Sequence, residues 1–363
     1  MDLTLTAEQQ LLVQSARVFL TRVCPISRVR ALETDPRGFD ATVWKEIAAL
    51  GWLEPASRTF LDATLLLEEM GRVLLPSPFL VSGVLAEQLL RRTPDRPQRQ
   101  RWLAGMAAGD LVATLALAEP GWRDEWGDPE LTAHIDGDWV YLSGVKTFVP
   151  FAPHAHVLLV SARAGDEGTL LVGVAGGTPG LHHVRLTTLG GDPVYEVRLE
   201  AIRVPLANVV GPPHATAAIA RALSCAVVGA LAYAVGAAER VLEMTVEYAR
   251  TRVQFGRPIG SFQAVAHRCA DMRSDLDALR YLVYQAAWCL DVDRPSDLEV
   301  AAAKAYGNEA LRRIFMHAHQ VHGAIGFSTE HDLHLFTRRA KATELTWGAT
   351  DLHLGRVAVA MGL

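Results

Sequence analysis

From the start of the chain to about residue 112, apolar residues recur every three or four positions, the period of an amphipathic helix. Thr6 followed by Gln9 has the form of a capping box, in which side chain and backbone groups satisfy each other at a helix start. The helix that follows is expected to carry Leu11, Leu12, Ala16 and Leu20 on one face. It should stop at Pro25, whose ring cannot continue the hydrogen-bond ladder. WKEIAALGW and TLLLEEMGRVLL repeat the period, with Gly51 and Gly71 near helix ends.

Between residues 113 and 210 the texture changes. LVATLALAEP, WVYLSGVKTFVP, HVLLVSAR, GTLLVGVAG and EVRLEAIRVP are short runs rich in Val, Leu and Thr, punctuated by Gly, Pro and Asp. Such runs predict an antiparallel β module, a barrel or sandwich. Beyond residue 215 the helical period returns through Val228, Leu231, Val235, Ala238, Leu242 and Thr245, predicting a helix of about 25–30 residues that suits a bundle. The chain is therefore mostly α with a central β domain, divided as 1–112, 113–212 and 213–363.

Half of the 363 residues are hydrophobic, enough for a sizeable core. The net charge of −5 argues against a nucleic-acid or anionic-membrane partner, which needs a basic face. No run approaches the roughly 18–20 uninterrupted apolar residues of a membrane helix. The opening MDLTLTAEQQ lacks the basic and apolar regions of a secretory signal. Cys24, Cys225, Cys269 and Cys289 are far apart with no CxxC spacing, so neither a disulfide framework nor a zinc knuckle is expected. These features together point to a reduced, cytoplasmic protein.

The last third carries the specific signal. YARTRVQFGRPIGSFQAVAHRCADM (248–272) and QVHGAIGFSTEHDLHLFTRRAK (320–341) closely resemble two signatures of the acyl-CoA dehydrogenase family. ALAEPG (116–121) and SGVKTFVP (143–150) are similar to the family's T-E-P-G loop and its flavin-lining strand. The resemblance spans nearly the whole chain. It implies an N-terminal helical domain, a β module, a C-terminal four-helix bundle, and FAD as cofactor.

It also implies site residues. Arg252 would offer a forked, charge-assisted hydrogen bond to the FAD pyrophosphate. Arg252, Gln254 and Phe255 match positions that reach a neighbouring subunit's FAD. Gln320 and Gly323 match the close approach to that same cofactor, where a missing Cβ helps. Ala324 stands for the second glycine of that pair. Phe148 matches an aromatic that packs on the isoalloxazine ring. His317, His319, His322, His331, His334 and His353 cluster in sequence, but the family pattern accounts for EHDLHL without a metal, and no metal site is expected.

The family's reaction needs a glutamate to remove the acyl α-proton. Aligning RRAK (338–341) puts Trp347 at the usual position, followed by Gly348 and Ala349. The alternative position, further back on the long helix from Tyr248, holds Ala226 between Cys225 and Val227. Glu344, Glu239 and Glu243 lie nearby in sequence as candidates for a relocated base. Other flavin positions are also altered: Ala118 and Pro150 stand for threonines and Asp124 for a serine.

What would complete a neighbour's FAD site is mostly kept, and what would serve the chain's own chemistry is mostly replaced. This split resembles the base-lacking chain of certain actinobacterial α2β2 acyl-CoA dehydrogenases, which implies a glutamate-bearing partner subunit and an acyl-CoA substrate. Two other readings stay open: a self-sufficient flavoenzyme with a relocated base or oxidase- or monooxygenase-like chemistry, and a non-enzymatic scaffold.

Overall fold

Thr6 caps the first helix as its sequence predicts. Its hydroxyl accepts from the Gln9 amide at 3.2 Å, and the Gln9 side chain accepts from the Thr6 amide at 3.1 Å. The computed structural model describes residues 4–54, 58–121, 129–165, 168–211 and 214–363. Helix α1 (Ala7–Val23) buries Ala16 and Leu20, but Leu11 is 66% exposed. At about 100° per residue, a separation of nine positions places Leu11 half a turn away from Leu20. The expected face was therefore one residue too generous. Pro25 caps the start of α2 (Ile26–Thr34) instead of sitting within α1.

The N-terminal region continues with α3 (Ala41–Ala49), α4 (Phe60–Arg72), a π-helical segment Phe79–Ala86, α5 (Glu87–Arg91) and α6 (Pro97–Ala107). Gly51 follows α3 in a left-handed conformation. Gly71 lies in the last turn of α4 but has a different role. A Cβ on it would lie 1.8 Å from the Tyr233 carbonyl oxygen, so its absence lets two helix backbones touch.

The β strands are β1 (Ala113–Ala116), β2 (Thr132–Asp136), β3 (Trp139–Pro150), β4 (Val157–Arg163), β5 (Thr169–Ala175), β6 (Leu181–Arg185), β7 (Val194–Pro205) and β8 (Val209–Val210). They form one eight-stranded sheet in the order β6-β7-β3-β2-β4-β5-β8, with β1 beside β4. The expectation of a wholly antiparallel module needs correction, because β1 and β2 both run parallel to β4. Alternation along single strands does not reveal which neighbour a strand finds. The sheet encloses its own core, including Val140, Leu142, Leu158, Val160, Val197 and Ile202.

The C-terminal region holds α7 (His214–Thr251), a hairpin of β9 (Val253–Gln254) and β10 (Arg257–Pro258), α8 (Gln263–Asp291), α9 (Asp297–His322), α10 (Leu333–Leu345) and α11 (Thr350–Ala360). At 38 residues, α7 is longer than expected, because its small, apolar first turns also pack inside. By length and composition α7 could cross a membrane, yet 67% of its apolar window is buried within the protein. The bundle is made of three long helices with α10 and α11 against them, and α4 packs along α7 from the N-terminal side. A single core runs from α1 and α4 through α7, α8, α9 and α10.

Candidate active site and cofactor-facing surface

At one end of the bundle the chain leaves α7 into the β9–β10 hairpin. The turn residues Phe255 and Gly256 both have positive φ, 51° and 76°, the pairing that a tight hairpin turn requires. The ring of Phe255 projects outward and is 91% exposed. It meets Phe262 edge-on at 6.0 Å, and the Arg257 guanidinium lies over Phe262 at 4.2 Å. Arg252, Gln254 and Gln320 are exposed. Among the described residues no carboxylate pairs with Arg252.

Beside this hairpin, α9 ends at Gly323 with φ 63° and ψ −141°, a conformation that essentially only glycine adopts. A Cβ there would have nothing within 4 Å, so the backbone faces open space. The two elements are joined by Tyr248 and His322, whose rings stack at 4.8 Å. The fold thus brings Arg252, Gln254, Phe255, Gln320 and Gly323 to one end of the bundle.

Phe148 stands apart from these, on β3. It has φ 51° at a register shift between β3 and β7, and its ring is 55% exposed. A bulge of this kind turns a side chain away from the regular alternation. An ion pair that the sequence did not announce lies at the start of the same bulge. Glu119 and Lys146 come from the AEPG and SGVK segments, and Lys146 Nζ lies 2.5 Å from Glu119 Oε1. Lys146 is fully buried and also donates to the Leu117 carbonyl and Ser161 Oγ, while Glu119 accepts from the Glu130 and Leu131 amides. Burial raises the Glu119 carboxyl, but Lys146 and the two amides outweigh it and hold the group below its ordinary range. A glutamate and a lysine in two neighbouring motifs were the available signal.

The altered positions are filled with ordinary structure. Ala118 is buried, and its carbonyl accepts from the Thr147 amide at 2.9 Å. The Pro150 carbonyl accepts from the Thr114 hydroxyl at 2.6 Å. Asp124 lies outside the described residues.

At the first of the two positions that the resemblance assigns to a base, Trp347 has φ 65° and packs against the main core, and its carbonyl is 2.8 Å from His353 Nε2. Buried Lys304 holds this loop from below. It donates to the Thr343 carbonyl at 2.6 Å and to Asn308 Oδ1 at 2.7 Å, and burial pushes its ammonium down to about 7. At the second position, Ala226 and Cys225 are fully buried. Burial pushes the Cys225 thiol up to about 12, which leaves it protonated at neutral pH. One turn on, a Cβ at Gly229 would meet Leu80 at 2.6 Å and Leu67 at 3.1 Å, so apolar side chains close the space beside Ala226.

The candidate substitutes are tied up elsewhere. Glu344 pairs with Lys341 at 2.7 Å, and Glu243 with Arg72 at 2.8 Å. Glu239 pairs with Arg280 and, at 3.4 Å, with Arg273. Burial raises the Glu239 carboxyl, but the Arg280 hydrogen bond and the charges of Arg280, Arg273 and Arg72 lower it further, leaving a weak base. Among the described residues no group of His, Cys, Asp and Glu could hold a metal ion.

Residues 6–110 match the acyl-CoA dehydrogenase N-terminal domain, and residues 216–362 match the acyl-CoA dehydrogenase C-terminal domain. The chain is 32% identical to the acyl-CoA dehydrogenase FadE27 of Mycobacterium tuberculosis, over 98% of each chain. It is similar to the crystal structure of the ChsE4-ChsE5 complex from Mycobacterium tuberculosis, with a TM-score of 0.90 and 32% identity over 100% of this chain and 99% of that one. It is also similar to a variant of the Tcur3481-Tcur3483 steroid ACAD, with a TM-score of 0.88 and 31% identity over 98% of both chains.

Proposed function

The chain belongs to the acyl-CoA dehydrogenase family of FAD-dependent oxidoreductases, and on that premise we propose that it is the base-lacking subunit of a heteromeric dehydrogenase. The observation that carries this reading is the one-sidedness of the chain. Its exposed end presents Arg252, Phe255 and the open Gly323 backbone, whereas Trp347 and Ala226 hold non-ionisable side chains at the two base positions. Two of the similar structures, ChsE4-ChsE5 and Tcur3481-Tcur3483, are of paired chains, which supports the same reading.

The residues at the bundle end fit the FAD of a neighbouring chain. Gly323 leaves room for a close approach, and Arg252 supplies an unpaired charge for a pyrophosphate. FAD, when bound, would supply the acceptor for the hydride of the acyl β-carbon. This chain's contribution is to hold and orient: Arg252 by charge, Gln254 and Gln320 by hydrogen bonding, Phe255 by covering the cofactor against water. The proton at the acyl α-carbon leaves to a carboxylate on the partner. The substrate is an acyl-CoA thioester, and the steroid named for one neighbour favours a bulky acyl group.

Each chain assayed alone, and both together, tests this. Acyl-CoA oxidation is expected only from the pair or from the glutamate-bearing chain, and rapid oxidation by this chain alone would contradict the proposal. Two substitutions sharpen it. Arg252→Ala is expected to weaken FAD retention in the complex about 10- to 150-fold, the value of one charge-assisted hydrogen bond. Trp347→Glu is expected to restore no measurable oxidation to the chain alone, because Ala118 and Pro150 still stand where the flavin-serving threonines would be.

One observation favours the self-sufficient reading as the alternative. Glu87 is 3% exposed, its Oε1 makes no hydrogen bond and only a 3.4 Å ion pair with Arg91, and burial raises its carboxyl above the ordinary range against the pull of Arg58 and Arg91. Its charge acts on Cys225, the neighbour of Ala226. If the chain alone does oxidise an acyl-CoA, Glu87→Gln will abolish that activity; a variant with unchanged activity would exclude Glu87 as the base.

A further inference from the structure

Where the ends of α7 and α9 meet, aromatic rings form a stack that the proposed chemistry does not use. His322, 3% exposed, lies 4.8 Å from Tyr248 and nearly parallel to it, and its centroid is 4.9 Å from that of His331. One turn earlier on α9, His319 stacks on Phe327 at 4.6 Å.

Hydrogen bonds fix the tautomers. His322 Nδ1 lies 2.8 Å from the Ala318 carbonyl, so it carries the proton, and Nε2 is a bare lone pair. The Thr337 hydroxyl donates to the Leu333 carbonyl at 3.0 Å, so it accepts from His319 Nε2 at 2.8 Å. That leaves His319 Nδ1 as a second lone pair. Both open nitrogens are buried and without a partner among the described residues. His331 Nδ1 accepts from the Leu333 amide at 3.2 Å.

We propose that this cluster is a proton-operated clamp: neutral imidazoles lock the last turn of α7, from which the hairpin at 253–258 springs, to the end of α9 and the turn at 323–327, and protonation loosens both. The clamp rests on the reading of those elements as the cofactor-facing surface, and it regulates that same site. An imidazolium here gains no acceptor and enters a stack of other imidazoles. Burial is the main cause that holds His322 and His319 below the ordinary histidine range; His331 opposes charge on both, and His319 opposes it on His322.

The surrounding charges do not relieve this. From α8, Arg268 faces His317 at 2.9 Å and brings positive charge. From α2, Arg30 already pairs with Asp332 at 2.8 Å. Glu330 is engaged by Ser328, and the α7 ring that packs on His322 is the uncharged Tyr248. Because both folded-state values are depressed, the unfolded chain takes up protons first as pH falls. The stability is fully present above the ordinary imidazole range of about 6.5 and is lost as pH falls through it toward the folded values.

The test uses the full chain without flavin, as wild type and as His322→Phe, which keeps a ring on Tyr248 and removes one titration. Chemical denaturation from about pH 7.5 to 5.5 is expected to lower the wild-type folding constant by up to about tenfold per pH unit for each depressed imidazole, with one of these factors missing in the variant. Hydrogen exchange in segments 248–260 and 320–332 should rise ahead of the rest of the bundle. Parallel pH profiles for the two proteins, or unchanged exchange in those segments, would overturn the clamp. Should the variant not fold, the wild-type ring resonances decide. Titration of His319 and His322 well below the ordinary midpoint supports the clamp, and titration at that midpoint overturns it. None of these readouts involves FAD, so a complex that lacked flavin would contradict the proposed function and leave this result standing.

Discussion

Arg280→Ala is expected to destabilise the chain by about 3–5 kcal/mol, the cost of leaving buried charges without their partner. Arg280 on α8 joins three elements. Its Nε donates to Glu68 of α4 at 3.0 Å, and a second nitrogen makes a short contact with Glu239 of α7. Glu68 also accepts from the Tyr284 hydroxyl at 2.8 Å. Burial raises the Glu68 carboxyl, against the pull of Arg280 and Tyr284.

These groups line a cleft of about 260 Å³ together with Arg17, Glu69, Arg72, Glu243 and Arg273. Four glutamates there face four arginines, so the cleft is neutral within itself and acts as a joint between the N-terminal helices and the bundle. Without Arg280, Glu68 must take up a proton or admit water. Chemical denaturation should show a lower midpoint with an unchanged slope. Adding Glu68→Gln should recover part of the loss, because it removes the stranded charge. A single variant within about 1 kcal/mol of wild type would show that solvent already screens the network.

The second large effect is steric. Gly236→Val is expected to cost about 3 kcal/mol, the upper end for overpacking, because the obstructing atom is backbone. A Cβ at Gly236 would lie 1.7 Å from the Glu68 carbonyl oxygen, the counterpart of Gly71 against Tyr233. Even Gly236→Ala, which gains about 1 kcal/mol of helix propensity, should be net destabilising. Paired with Gly71→Ala it should fall short of additivity, since both substitutions open the same crossing. The crossing matters for the site because it holds α4 against the stretch of α7 that carries Ala226 and Gly229. Wild-type stability in Gly236→Ala would mean that the helices separate freely.

What the sequence made legible was local. Thr6 with Gln9 and the return of the helical period after the β region each depend on residues a few positions apart. The contacts that assemble the domains do not. Glu68 and Arg280 are 212 positions apart, and nothing in either neighbourhood announces the other. Gly71 reads as a helix end from its own segment, because the partner backbone that demands a glycine lies on α7. The parallel pairings of β4 escape strand patterning for the same reason.

The candidate site was legible in proportion to its dependence on motifs. Arg252, Gln254, Phe255, Gln320 and Gly323 were named from two signatures, and the fold gathers them at one end of the bundle. Glu87 was invisible because its interest lies in burial, which no spacing encodes. The histidines are similar: their spacing suggested a metal question, whereas their tautomers and stacking suggest a proton site.

The most direct measurement is the visible spectrum and solution mass of the chain, purified alone and co-purified with a glutamate-bearing dehydrogenase-like chain from the same source. The account predicts a colourless preparation alone, and a yellow complex of both chains holding half as many FAD molecules as chains. A yellow homo-oligomer with one FAD per chain would contradict it and establish a self-sufficient flavoenzyme.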